Sequence, residues 1–286
     1  MRREGLLYLT LVVLMWGMSF VATKVMVMHM PPITSGFLRF AIAGAILSIT
    51  IRGRANYNRR ERLFVVLGGL FGITLYFVFE NIGLKFTTAT NGALIVSSTP
   101  VWYLMARDLL DRRLSPPIRY LGTLMAFFGV ALIVIGGRIS LHINPIGDML
   151  VLGAALAWTL YSLSIEHLSH HPNPIITRDI SLWGLMFFIP FVLAEMTFSP
   201  PTAYRWTDPA AVAALLYLSI FCSALGYLLF NRAVTILGGR TANNGLYFIP
   251  LVTAIAETIL LKTYPGIHTI TGGLLIILGT YVAEQG

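Results

Sequence analysis

Charge is scarce in this chain. Only 11% of its 286 residues are Asp, Glu, Lys or Arg, and 12 acids face 20 bases. About a quarter of a typical soluble domain is charged, so an ordinary soluble enzyme or binding module does not fit. Cysteine is nearly absent: the single Cys222 excludes an intrachain disulfide and a thiol-rich metal site. The six histidines show no metal-ligand spacing, and the cluster His167, His170 and His171 falls in a polar connection that reads as a solvated loop. Glycine-rich stretches such as GGLFG lie inside apolar runs and lack the following Gly-Lys-Ser/Thr, so no nucleotide-binding loop is found and ATP-driven pumping by this chain alone is not expected. No nucleophile–base–acid set stands out. The expectation is a protein that is not an enzyme and uses neither cofactor nor metal.

What the chain has in abundance is apolar sequence. Residues of the hydrophobic set make up 56%, and mean hydropathy is +0.77. A spanning helix needs roughly 20 mostly apolar residues. Ten such segments are expected, at 5–27, 33–51, 63–84, 88–110, 118–136, 147–167, 178–197, 210–235, 243–262 and 267–283. Between them lie Pro31-Pro32, the stretch 52–62, Pro116-Pro117, Pro145, Pro172 to Pro174, Pro200-Pro201 and Pro265-Gly266, all strong helix breakers. These spans leave no room for a soluble domain. The first run is long and has no small-residue cleavage site, so it reads as a retained helix and not a signal peptide.

Lysine and arginine fix the expected orientation. With the amino terminus inside, fourteen of them fall on the inner side and five on the outer side. Both termini are therefore expected in the cytoplasm, with the chain multi-pass in the cytoplasmic (inner) membrane. In this setting a net charge of +8 reports orientation and contact with anionic lipid, not nucleic-acid binding.

The second half repeats the first. Asn81, Pro100, Gly122 and Gly129 recur 150 positions later as Asn231, Pro250, Gly272 and Gly279, while Trp16 and Lys24 find partners 142 later at Trp158 and Glu166. Residues 1–140 and 141–286 thus read as two five-helix repeats. Five is odd, so the second must enter the membrane inverted. The expected fold class is an all-α integral membrane protein, one transport domain of ten transmembrane helices in two inverted five-helix repeats around a central hollow, an architecture used for alternating access.

Intramembrane polar groups mark candidate sites because they are costly to bury. Lys24, Arg39, Glu80 and Glu257 share roughly one outer depth and sum to zero charge. They form either an outer gate or zwitterion site, with Arg39 or Lys24 meeting a carboxylate and Glu80 or Glu257 an ammonium, or a structural ion-pair lock. Glu166, Arg232, Arg107 and Asp108 are the inner counterpart, either a gate or a consequence of orientation. Lys24, Glu257, Asp108, Glu166 and Arg232 are accordingly the gating candidates. Between the layers lie Trp16, Ser19, Tyr76, Asn81, Asn91, Trp158, Tyr161, Tyr227, Asn231, Asn243, Asn244 and Tyr247. Aromatic faces can cover an apolar or cationic substrate and amides can orient its polar ends. With Arg39 and Glu80, the substrate-binding set is Trp16, Ser19, Tyr76, Asn81, Trp158, Tyr161, Tyr227, Asn231, Asn244 and Tyr247; helix packing and interhelical hydrogen bonding are the alternatives. Pro100 and Pro250 are expected mid-helix, as bends.

The stretches LMWGMSFVATK, SGFLRFAIAG, ENIGLKFTTATNGALIVSSTPVW and RYLGTLMAFFGVALIVIG, followed by AWTLYSLSIE, NRAVTILGGRTANNGLYFIPLVTA and TGGLLIILGTYVAE, resemble the EamA-type branch of the drug/metabolite transporter superfamily. The resemblance covers nearly the whole chain. It implies ten helices, two inverted repeats, a central cavity and a secondary transporter that moves a small metabolite, an amino acid or a related compound, outward. One feature departs from it: the Gly-Glu pair often found where helices 4 and 9 end is replaced by LLDRRLSP and LLKTYPG, with Asp108, Asp111 and Glu257 the nearest acids. The expected partners are a small-molecule substrate, the lipid bilayer and, as a coupling ion, protons taken up by Glu80 or Glu257; the chain is a monomer or homodimer. The competing readings are a non-transporting membrane scaffold and a lipid-active intramembrane protein.

Overall fold

The computed structural model describes residues 1–135, 144–198, 204–252, 255 and 266–285, and among them there is helix and no strand. Helix α1 (Arg2–Gly17) runs into α2 (Ser19–His29) across Met18, and α3 (Pro32–Thr50) starts on a proline whose missing N–H is no loss in the first helical turn. Asn58 opens α4 (Arg59–Gly69) with a reciprocal cap: its side chain accepts from Glu61 N at 2.9 Å, and Glu61 Oε2 accepts from Asn58 N at 2.8 Å. A widened π-helical stretch, Leu70–Leu75, then leads into α5 (Tyr76–Phe86). Helices α6 (Ala89–Val96), α7 (Thr99–Asp111) and α8 (Pro117–Ile135) complete the first half.

The second half opens with α9 (Pro145–His167) and α10 (Asn173–Phe198). Asp208 caps α11 (Pro209–Tyr217), accepting from Ala210 N and Ala211 N at 3.0 Å. A second π-helical stretch, Leu218–Leu225, joins α11 to α12 (Gly226–Leu237). Helix α13 (Gly239–Asn244) passes into a 3-10 turn at Gly245–Tyr247, and α14 (Ile267–Gln285) ends the chain.

Eight continuous helical stretches among the described residues are long and apolar enough to cross a bilayer: Arg2–His29, Pro32–Thr50, Arg59–Phe86, Pro117–Ile135, Pro145–His167, Asn173–Phe198, Pro209–Leu237 and Ile267–Gln285. The two remaining expected segments behave differently. The one at 88–110 is broken at Ser97-Ser98, ahead of Pro100, so this proline sits in the first turn of a new helix and does not bend a continuous one. Its ring excludes a bond to the carbonyl four residues back, and that carbonyl, Val96 O, accepts from Thr99 Oγ1 at 2.6 Å instead. The segment expected at 243–262 begins earlier, at Gly239, and is interrupted by the 3-10 turn ahead of Pro250; most of it beyond 252 lies outside the described residues.

Glycine sets the closest helix contact. A Cβ on Gly122 would lie 2.6 Å from Gly279 O and 2.3 Å from Ala283 N, and one on Gly129 would lie 2.6 Å from Gly272 O. Because 122 faces 279 while 129 faces 272, α8 and α14 run antiparallel, with backbones too close for any side chain. Elsewhere α5 lies against α9, α1 against α12, and α3 against α10. A buried acid that sequence reading passed over, Glu195 on α10, caps α3 from outside: its carboxylate accepts from Ile33 N at 2.9 Å and from Thr34 N at 2.6 Å. The outer surface is apolar, with Leu109, Met149 and Phe198 among many large side chains left mostly exposed. Water would penalise that surface, whereas bilayer hydrocarbon suits it.

Candidate functional site

The centre of the molecule is an aromatic box. Trp16, at the end of α1, meets Trp158 of α9 edge-on, with ring centroids 5.2 Å apart and planes at 86°. Tyr227 of α12 lies 5.9 Å from Trp16 and 5.7 Å from Trp158, and Tyr76 of α5 lies 5.3 Å from Trp158. Such edge-to-face geometry suits ring quadrupoles. The box encloses a cavity of about 50 Å³ lined by Trp16, Ser19, Phe20, Arg39, Tyr76, Phe77, Glu80, Val96, Ser97, Trp158, Tyr227, Leu246 and Ile249.

Two opposite charges face this cavity. Arg39 is only 3% exposed; its Nε donates to Ser223 Oγ at 2.6 Å and its guanidinium lies 4.3 Å from the centre of the Phe77 ring. Glu80 is also 3% exposed; Oε1 accepts from Tyr76 O–H at 3.2 Å, and Oε2 has no hydrogen-bond partner. Neither residue belongs to any ion pair found among the described residues. Buried charges without direct pairing are expensive, and both of these open onto the same cavity. A third unmet demand is the Trp158 indole N–H, which is buried without an acceptor. Its counterpart on Trp16 donates to Cys222 O at 3.0 Å.

The π-helical stretches supply the backbone carbonyls for this arrangement. Cys222 O lies in the second and binds Trp16, while Gly72 O lies in the first and accepts from Tyr227 O–H at 2.8 Å. Widening a helix frees carbonyls from the regular ladder, and such bulges gather at functional sites. Gly72 is required by packing: a Cβ there would be 2.1 Å from the Tyr161 ring.

Of the substrate-binding set expected from sequence, Trp16, Ser19, Arg39, Tyr76, Glu80, Trp158 and Tyr227 line this cavity. The others do not line it. Asn81 Nδ2 donates to Pro32 O at 2.8 Å, tying α5 to α3. Tyr161 O–H donates to Asn231 Oδ1 at 2.6 Å, and Asn231 Nδ2 donates to Thr177 Oγ1 at 2.9 Å, a closed network linking α9, α12 and α10. Asn243 and Asn244 are also engaged, with Ser162 at 3.1 Å and Glu284 at 2.8 Å respectively. Tyr247 is buried in a separate apolar cluster with Ala126, Val130 and Ile276. Phe20, Phe77, Val96, Ser97, Leu246 and Ile249 line the cavity without having been anticipated. Most are apolar residues in apolar helices, for which sequence offers no signal.

The gating candidates separate. Lys24 donates to Thr87 O at 2.9 Å and to Leu84 O, so it caps the end of α5. Glu166 binds Arg107 Nη1 at 3.2 Å and Tyr103 O–H at 2.5 Å. Asp108 does not join that group. It accepts from Ser115 N and Ser115 Oγ at 2.6 Å and from Tyr120 O–H at 2.8 Å, fixing the turn between α7 and α8. The Arg232 side chain is exposed, and Glu257 lies outside the described residues.

The fold, eight helical stretches long and apolar enough to cross a bilayer packed around a charged, aromatic-walled cavity, is that of a multi-pass membrane protein. The EamA-like transporter family matches the chain twice, at residues 3–135 and 145–284, and the chain belongs to that family. An uncharacterized transporter of Archaeoglobus fulgidus is 31% identical, with 96% of each chain covered. A probable amino-acid metabolite efflux pump of Salmonella typhimurium is 28% identical over 100% of this chain and 96% of its own. A probable terminal-alkyne amino-acid exporter of Streptantibioticus cattleyicolor is 26% identical over 97% of this chain and 92% of its own. A solved crystal structure at 20% identity shares the fold, with a TM-score of 0.77 over 100% of this chain and 98% of its own. The protein is therefore a multi-pass membrane protein of a transporter family. Its family and relatives are transporters, not enzymes.

Proposed function

We propose that this protein is a secondary carrier that exports a small zwitterionic metabolite, an amino acid or close relative, across the cytoplasmic membrane by alternating access. The observation that carries the reading is the pair Arg39 and Glu80, both buried, both facing one cavity, and not bonded to each other. The guanidinium is suited to a carboxylate and Glu80 to an ammonium. The aromatic box covers the substrate's apolar part, and Trp158 N–H and Ser19 supply further polar contacts.

The architecture in this proposal is ten transmembrane helices, residues 1–140 and 141–286 forming two inverted repeats. Three observations support it. The family matches two successive stretches of the chain. The π-helical stretches Leu70–Leu75 and Leu218–Leu225 fall at corresponding places in the halves. The contacts Gly122–Gly279 and Gly129–Gly272 exchange into each other under the 150-residue shift, as a two-fold axis requires. A cavity of about 50 Å³ has room for only a few waters. Admitting a metabolite requires the helices to part, which fits a contracted stage of a transport cycle. Glu166 with Arg107 and Tyr103, bridging α9 and α7, serves as the gate on the opposite side of the box from Lys24 and the end of α5. The fourteen-to-five distribution of basic residues supports both termini lying inside.

The test is counterflow in proteoliposomes: liposomes preloaded with an unlabelled amino acid accumulate the labelled one if the chain is a carrier. A panel of amino acids covering every side-chain class that gives no counterflow, with folded protein in the vesicles, defeats the proposal. Running the same assay with and without a pH gradient decides proton coupling.

A further inference from the structure

Two of the three histidines that sequence assigned to a solvated loop, His170 and His171, are held in a defined cluster. The turn after α9 is closed by His171 N donating to Leu168 O at 3.0 Å, and it presents two neighbouring imidazoles, their centroids 4.3 Å apart, to the first turn of α4. There His170 Nε2 lies 2.9 Å from Glu61 Oε1 and His171 Nε2 lies 3.1 Å from Glu61 Oε2. The three donor groups converge within 4.8 Å of one another. Two features separate this from an ordinary surface contact. The Glu61 carboxylate is already aimed, because Oε2 caps Asn58 N at 2.8 Å. His171 Nε2 is shielded from solvent yet makes no properly directed hydrogen bond, although it sits beside that carboxylate. Tyr57 packs edge-on against His171 at 5.0 Å and restrains the ring.

We infer that Glu61, His170 and His171 form a binding site for a divalent transition-metal ion of the zinc type. Two imidazole nitrogens and one carboxylate are a donor set that zinc accepts, with water in a fourth position. In tetrahedral coordination at roughly 2.0–2.1 Å, ligand atoms stand about 3.3 Å apart; the two imidazole–carboxylate spacings, 2.9 and 3.1 Å, are close to that, and the two imidazole nitrogens lie within 4.8 Å of each other, so side-chain rotation brings the donors onto one ion. The ion takes the place of the direct contact that His170 Nε2 makes with Glu61 Oε1 at 2.9 Å. It would tie α4 to the connection between α9 and α10, two elements far apart in the chain. Arg59, Arg60 and Arg62 flank Glu61 in sequence and oppose a dication, which lowers affinity without altering the donor geometry.

The test uses the full-length, tag-free protein, stripped of metal and titrated with zinc by calorimetry and with cobalt by visible absorption. The expected result is one ion per chain, tetrahedral cobalt bands, and a rise in melting temperature with zinc. All three vanish in His170→Ala/His171→Ala. Glu61→Gln retains the helix cap and weakens binding at least tenfold. Zinc binding of equal stoichiometry in wild type and the double variant, or no cobalt bands in wild type, overturns the inference. If the double variant fails to fold, the wild-type cobalt spectrum and Glu61→Gln still decide it.

Discussion

Crossing two substitutions with two ligand modifications tests the central charge pair directly. The variants are Arg39→Gln and Glu80→Gln; the ligands are a transported amino acid, its amide, which lacks the carboxylate, and its N-acetyl derivative, which lacks the ammonium. Arg39 and Glu80 are each 3% exposed and face the same cavity, so each half of a bound zwitterion meets its partner away from bulk water. A hydrogen bond to a charged group contributes about 1.5–3 kcal/mol, or about 10- to 150-fold in affinity. In wild type both derivatives should therefore bind more weakly than the parent by that factor, read as inhibition of counterflow. Arg39→Gln should abolish the penalty for the amide and keep the penalty for the N-acetyl compound; Glu80→Gln should do the reverse. This is a double-mutant cycle with the ligand as one partner, so general weakening of the protein cancels. Melting temperatures of both variants check that removing one buried charge has not unfolded the site. If both penalties persist unchanged in both variants, Arg39 and Glu80 do not read the substrate's charges, and the zwitterion assignment is wrong.

Two further outcomes follow from packing and ionisation. Gly122→Ala places a methyl within 2.3 Å of Ala283 N and 2.6 Å of Gly279 O, so α8 and α14 must separate; thermal melting should report a loss of about 1–3 kcal/mol, and an unchanged melting temperature would remove the close-contact argument. Tyr57, between α3 and α4, donates to Asp179 Oδ2 at 3.0 Å, and burial, then the Asp179 charge, raises its pKa above the usual 10.0. The unfolded chain thus releases this proton at lower pH than the folded one, and stability present below pH 10.0 is lost as pH rises beyond it. Melting followed into alkali should fall less steeply for Tyr57→Phe than for wild type; parallel curves would refute the linkage.

Long apolar runs, basic residues at their ends and a 150-residue echo of Asn, Pro and Gly are strong signals because hydrocarbon leaves the backbone few options. Most of the long helices were therefore legible, and Trp16, Arg39, Glu80 and Trp158, each unusual inside a membrane, all lie buried around one cavity. Sequence could not distinguish polar groups that face the cavity from those satisfied within a helix contact. Asn81 and Glu80 are adjacent, yet Asn81 reaches the carbonyl of Pro32 while Glu80 faces the cavity. Neighbours on a helix point about 100° apart, and a few degrees of helix rotation decide which one meets the hollow. The π-helical stretches were hidden for a similar reason: nothing in LFGITL or LSIFCSAL forbids an ordinary helix. Their widening reflects tertiary partners, Tyr227 for Gly72 O and Trp16 for Cys222 O.

Those two carbonyls also bear on how the proposed repeat would make an asymmetric site. Trp16 corresponds to Trp158, Gly72 to Cys222 and Phe77 to Tyr227. Trp16 donates to Cys222 O, so the matching bond would run from Trp158 to Gly72 O. That carbonyl is already taken by the Tyr227 hydroxyl at 2.8 Å. Phe77 has no hydroxyl with which to compete for Cys222 O in the same way. Tyr227 carries an oxygen that Phe77 lacks, and the Trp158 N–H is without a protein acceptor while its twin is satisfied. A buried donor left unpaired costs about 1–3 kcal/mol, and that cost disappears when a ligand carboxylate or carbonyl reaches it. Under the proposed repeat the two halves therefore differ in their satisfied hydrogen bonds, and two of the unmet groups, Trp158 N–H and Glu80 Oε2, belong to residues on the wall of the same cavity.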